Sequence, residues 1–129
     1  MRHHIDVLGL LHMVWGVFAG LAGVSLIILA AGTNAAVNAA PLDADGSSAA
    51  VWLLGATGVI LLAAGLGLAS TGRRLRRVQA GARQAALVLA VPNLLILPFG
   101  TALGVYTYWV LLNNDARDAF GRPQRAAAV

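Results

Sequence analysis

The chain has 129 residues, 59% of them hydrophobic and only 11% charged, with a mean hydropathy of +0.77. A soluble domain carries about a quarter charged residues, so this chain cannot cover its own surface with polar groups and lipid must form part of its solvent. The formal charge is +4 and comes from nine Arg with no Lys; the absence of Cys excludes disulfides, thiolate metal sites and a cysteine nucleophile.

The first apolar run, 5–31, lies in "MRHHIDVLGLLHMVWGVFAGLAGVSLIILAAG". A secretory leader has an apolar region of about 7–15 residues, and this run is far longer, as a spanning helix requires. As a helix it measures about 40 Å, more than the hydrocarbon core of about 30 Å, so it should tilt or begin in the interface. Residues 32–48, with Asn, Pro41, Asp43, Asp45 and Gly46, read as a loop. A second span at 49–70 has no charge and a length of about 33 Å. "TGRRLRRVQAGAR" follows, with Arg73, Arg74, Arg76, Arg77 and Arg83.

Residues 84–112 would make one helix of about 44 Å or two short spans. Pro98 steers Leu97 away from helical angles and Gly100 offers a free corner, so "PFG" reads as a turn. Charge favours the same hairpin. Short Arg-rich loops stay in the cytoplasm, and the 73–83 loop holds five Arg while 32–48 holds none. That puts the N-terminus inside, and two final spans return Arg117, Arg122 and Arg125 to the same side. The expectation is an all-α, four-helix transmembrane bundle with spans 5–31, 49–70, 84–98 and 101–113, a tail 114–129 and both termini cytoplasmic. The two hairpin spans are short, about 22 Å for 84–98, which calls for local thinning or snorkelling. Trp52, Phe99, Tyr106, Tyr108 and Trp109 fall near expected interfaces. Trp15 lies deeper and should pack between helices.

Small residues recur at helical spacing. Gly9, His12, Gly16, Gly20 and Gly23 line one face of the first span, Gly55, Gly58, Gly65 and Ala69 mark the second, and Gly100 and Gly104 the fourth. Such residues let backbones approach closely where lipid provides no hydrophobic drive between helices. They suit packing within the bundle, or a dedicated seam between copies.

Four polar residues form a candidate intramembrane site: Asp6, His12, Asn93 and Thr101. An ionisable group inside a span invites a functional reading, such as proton sensing, a cofactor ligand or a pore lining. The structural reading is a neutral imidazole bonded to a neighbouring helix, with Asn93 as a candidate partner. Haem or metal would need a second ligand, and only His3 and His4 remain, near the surface. Asp6 should pair with Arg. Pro92 removes an N–H and frees a carbonyl near Val88, which Asn93, Thr101 or water could satisfy.

The arginine loop should set topology and attract anionic lipid at the cytoplasmic face, at about 1 kcal/mol per residue. It lacks the aromatic or base-reading partners of a nucleic-acid site. No catalytic triad, carboxylate pair, phosphate loop or dinucleotide fingerprint occurs, and Glu is absent. No enzyme and no cofactor are expected. An all-Arg basic set in an Ala- and Gly-rich chain suggests a GC-rich bacterial source.

"HIDVLGLLHMVWGVFAG" and "LAVPNLLILPFGTALGVYTYWVLL" together resemble a family of small four-span bacterial membrane proteins, in which a Pro-X-Gly-Thr corner leads into the last helix. The resemblance covers most of the chain outside the first loop and the tail. It implies a four-helix membrane fold and brings no activity or catalytic residue; the expected location is the bacterial inner membrane. The functional expectation is a non-enzymatic membrane protein that self-associates or joins a larger membrane complex. The alternative is an ion channel or small-solute transporter using the His12/Asn93 region.

Overall fold

The computed structural model describes residues 2–39, 44–79, 81–96 and 98–121, with the side chains of 44–47 outside that description. Among the described residues every regular element is a helix: α1 (Arg2–Ala39), α2 (Ala44–Arg76), α3 (Ala82–Asn93), α4 (Phe99–Leu112) and α5 (Asn114–Ala119). Arg2–Ala39 and Ser48–Arg76 are long and apolar enough to cross a membrane, with hydropathy of 2.2 and 2.1 over their most apolar stretches.

The expected loop at 32–48 is largely helical. α1 continues to Ala39 and α2 begins at Ala44; Pro41 and Asp43 lie outside the described residues. The Ala content of 31–39 favours helix, and the hydroxyls that could compete with the backbone are turned to helix use. Ser25 donates to the Leu21 carbonyl and Thr33 to the Leu29 carbonyl, each at 2.9 Å, four residues back.

The expected third span, 84–98, is also shifted. α3 ends at Asn93, and the chain tightens into three-residue turns, Leu95 N–H to the Pro92 carbonyl and Ile96 N–H to the Asn93 carbonyl. Pro92, in the last turn of α3, has no N–H for the Val88 carbonyl, so the ladder is already interrupted there. The break therefore begins before the "PFG" corner, where Leu97 lies outside the described residues. Pro98 then caps α4 without a side-chain bond.

The expected tail begins as α5. Asn113 ends α4 and caps α5 by accepting from the Asp115 N–H at 3.2 Å. Arg122 and Arg125 lie outside the described residues.

The chain divides into two compact units, Met1–Trp15 with Leu68–Val129, and Gly16–Gly67. The core of the first unit is apolar and gathers Ile5, Leu8, Leu75, Ala86, Val110 and Leu111, with Trp15 packed against it as expected. α3 packs on α4. Gly104 permits this, since a Cβ there would stand 2.7 Å from the Leu94 side chain and 3.2 Å from the Ala90 carbonyl. A Cβ at Gly100 would stand 2.5 Å from the Asn93 carbonyl oxygen. Both glycines thus serve the hairpin itself.

In the Gly16–Gly67 unit the packing is backbone against backbone. A Cβ at Gly65 would stand 2.5 Å from the Gly16 carbonyl oxygen, and one at Gly23 would stand 2.6 Å from that of Gly58. In the other unit, a Cβ at Gly72 would strike the Gly9 carbonyl. Within the Gly16–Gly67 unit the two facing pairs run antiparallel and lie seven residues apart, the period that keeps a seam on one side of a helix.

Candidate functional site

His12 is completely buried in α1. Its Nδ1 lies 3.0 Å from the Leu8 carbonyl oxygen. A carbonyl can only accept, so Nδ1 carries the proton and Nε2 is left as an acceptor. That Nε2 has no hydrogen-bond partner, and neither does the buried Nδ2 of Asn93 at the end of α3. The bond expected between His12 and Asn93 is therefore not made. His12 is held by its own helix, as any residue with a donor at this reach can be. Among the described residues of this unit one buried acceptor and one buried pair of donors lack partners, and leaving such groups unmade costs about 1–3 kcal/mol each.

The two remaining members of the expected polar site sit apart from that chemistry. Thr101 donates to the Leu94 carbonyl at 2.8 Å, so it serves the turn between α3 and α4 and not the carbonyl near Val88. Asp6 is exposed and makes no ion pair among the described residues. It instead lines a groove of about 400 Å³ with Met13, Arg73, Arg76 and Arg77.

The arginines, read from sequence as one cluster, divide. Arg73, Arg76 and Arg77 face the groove. Arg74 is exposed and does not line it. Arg83 is half-buried, and its Nε donates to the Leu111 carbonyl at 2.9 Å, satisfying one of the carbonyls that the last turn of α4 leaves open.

The helix-packing glycines divide as well. Gly16, Gly23 and Gly58 lie in tight pairs, whereas a Cβ at Gly20 would find its first neighbour at 4.0 Å and one at Gly55 at 3.9 Å. Four-residue spacing pointed to Gly16 and Gly20 together; the seven-residue spacing of Gly58, Gly65 and Gly72 was the better signal, and it picks out Gly72, a position the four-residue reading passes over.

Sequence reasoning also missed a ring cluster. His4 Nδ1 lies 3.1 Å from the Tyr106 hydroxyl, and its ring meets Trp109 edge-on at 5.7 Å. Tyr106 and Trp109 stack at 6.0 Å. Tyr108, on the same helix, donates to the Leu87 carbonyl at 3.2 Å. Tyr106, Tyr108 and Trp109 were read as interfacial anchors; the residue numbers alone do not show that they tie α4 to α1 and α3. Among the described residues no three His, Cys, Asp or Glu gather as a metal set would. No protein-family model matches the chain, and no curated protein or solved structure matches it.

Proposed function

We propose that the chain is a non-enzymatic integral protein of a bacterial inner membrane, crossing it four times with both termini in the cytoplasm. It self-associates or serves as an accessory subunit of a larger membrane complex. The observation that carries this reading is where the apolar surface lies. Only 17% and 11% of the most apolar stretches of the two long helices are buried, whereas the core helix of a soluble protein would be mostly covered. Leu21, Ile28, Ile60 and Leu66 are each at least 60% exposed, far more contiguous apolar surface than water tolerates. Lipid is the solvent that such helices require. The short hairpin of α3 and α4 is accommodated by thinning or by snorkelling of its polar ends. Because the tight glycine pairs are used within the chain, self-association would draw on the lipid-facing sides of the helices.

Topology is tested with Ser47→Cys and Gln124→Cys in intact spheroplasts treated with a membrane-impermeant thiol reagent. Ser47→Cys labels and Gln124→Cys does not. Equal labelling of both from outside removes the four-crossing arrangement.

The unpartnered Nε2 of His12 and Nδ2 of Asn93 favour a second reading, a channel or small-solute transporter. Reconstituted liposomes decide between the two. For the first reading, flux stays at background at about pH 5.5 and about pH 7.5, the interval in which an ordinary imidazole titrates. A pH-gated current that His12→Gln abolishes promotes the second.

A further inference from the structure

We propose that the groove between the start of α1 and the end of α2 is a headgroup site for an anionic glycerolipid that carries two phosphates. This rests on the membrane reading above and gives it a ligand. Arg73 and Arg76 lie three residues apart in the last turn of α2, Arg77 stands just past its end with its N–H on the Arg73 carbonyl, and all three line the groove. None of their guanidinium groups has an ion-pair or hydrogen-bond partner among the described residues. In this they differ from Arg83, which is engaged with the Leu111 carbonyl.

The groove is shaped as well as charged. A Cβ at Gly9 would stand 2.6 Å from the Arg76 Cγ and 2.8 Å from the Gly72 carbonyl oxygen. The Arg76 stem is therefore laid across a glycine, and its charged end is carried to the groove. Met13 supplies an apolar wall suited to a glycerol backbone and the start of an acyl chain. Asp6 stands among the three cations, and the four side chains leave two net positive charges. A lipid with two phosphates cancels that charge, and one with a single phosphate leaves half of it unmet. Arginine forks bind phosphate oxygens in pairs, and basic pockets between membrane helices on the cytoplasmic side accept such headgroups. A soluble pyrophosphate shares the chemistry of the headgroup without the acyl chains.

The full chain in neutral detergent is titrated with cardiolipin, phosphatidylglycerol or pyrophosphate, and binding is read by native mass spectrometry. Cardiolipin binds about tenfold tighter than phosphatidylglycerol, and pyrophosphate binds more weakly than either. Arg73→Gln and Arg77→Gln each weaken cardiolipin binding about fivefold. Asp6→Asn tightens it, because a like charge is removed from the site. Arg74→Gln, outside the groove, leaves it within about twofold. Equal binding of the two lipids, or an Arg74→Gln loss as large as that of Arg77→Gln, overturns the groove in favour of diffuse charge. Pyrophosphate binding as tight as cardiolipin overturns the lipid assignment. Asp6→Asn gives a gain to be seen, so the outcome does not depend on a loss that misfolding could imitate. Release of the wild-type chain from membranes by an alkaline carbonate wash would fail the membrane reading separately.

Discussion

The Gly16–Gly67 unit and the unit built from Met1–Trp15 and Leu68–Val129 hold their helices together by different means. In the first, glycines bring one backbone against another, and the bulky side chains at Leu21, Ile28 and Ile60 turn outward. In the second, a cluster of buried side chains is supplemented by polar ties between helices, such as Arg83 to Leu111 and Tyr108 to Leu87. Glycine faces let two long helices approach backbone to backbone, and for the proposed membrane setting, where lipid gives no hydrophobic drive between helices, such approach can replace a side-chain core. Short helices cannot do this alone. α3 and α4 have 12 and 14 residues, and their termini bring a larger share of unmatched carbonyls that need side-chain donors.

The sharpest way to break this comparison is to place a side chain in the backbone seam. Gly65→Leu should cost about 3 kcal/mol or more, because the Gly16 and Gly20 backbone cannot yield as a flexible side chain would. Reversible unfolding in a mixed detergent titration measures it. Gly32→Ala is the matched control, since a Cβ there meets nothing within 4 Å. It should stabilise α1 by up to about 1 kcal/mol through helix propensity. If both substitutions behave alike, the seam does not hold the unit.

Polar ties are tested next. Arg83→Gln should cost about 1.5 kcal/mol, the scale of a charged hydrogen bond, and the loss should show as faster amide exchange at the end of α4. No change in exchange there would mean that the Leu111 carbonyl is satisfied without the arginine.

The smallest expected effect lies where α2 stops. Val78 has φ of 49°, with its N–H on the Leu75 carbonyl and the Gln79 N–H on that of Arg74. This is the left-handed helix ending that normally falls to glycine, and a β-branched residue is strained there. Val78→Gly should therefore stabilise by about 1 kcal/mol. A loss of stability would show that the Val78 side chain contributes packing that outweighs its strain.

How much of this was legible in the sequence depended on whether the signal was local. The helical class, the long first and second helices and a break before Gly100 follow from composition, run length and two prolines. The loop at 32–48 was drawn too long because Asn, Asp45 and Gly46 were read as loop residues, yet α1 runs to Ala39, with Thr33 bonding back along it, and α2 begins at Ala44. The arginine cluster was visible as a run. Its division was not, because Arg83 is drawn to a carbonyl 28 residues away. For the same reason the His4–Tyr106 contact, 102 residues apart, has no signature in either segment. Of the four polar residues grouped in the sequence, His12 and Asn93 are buried with an unpartnered atom each, while Thr101 bonds the Leu94 carbonyl and Asp6 is exposed, a division that hydrogen-bond geometry alone decides.

The backbone seam has a genetic consequence. Any single-base change that replaces a glycine codon gives a stop or a residue with a Cβ, and at Gly9, Gly23, Gly58, Gly65 and Gly72 even that first carbon would come within 2.8 Å of another atom. No conservative replacement exists at these five positions. The exposed leucines and isoleucines between them can drift among apolar residues, so divergence along the long helices should leave a sparse, seven-residue comb of glycines standing in an otherwise changing sequence.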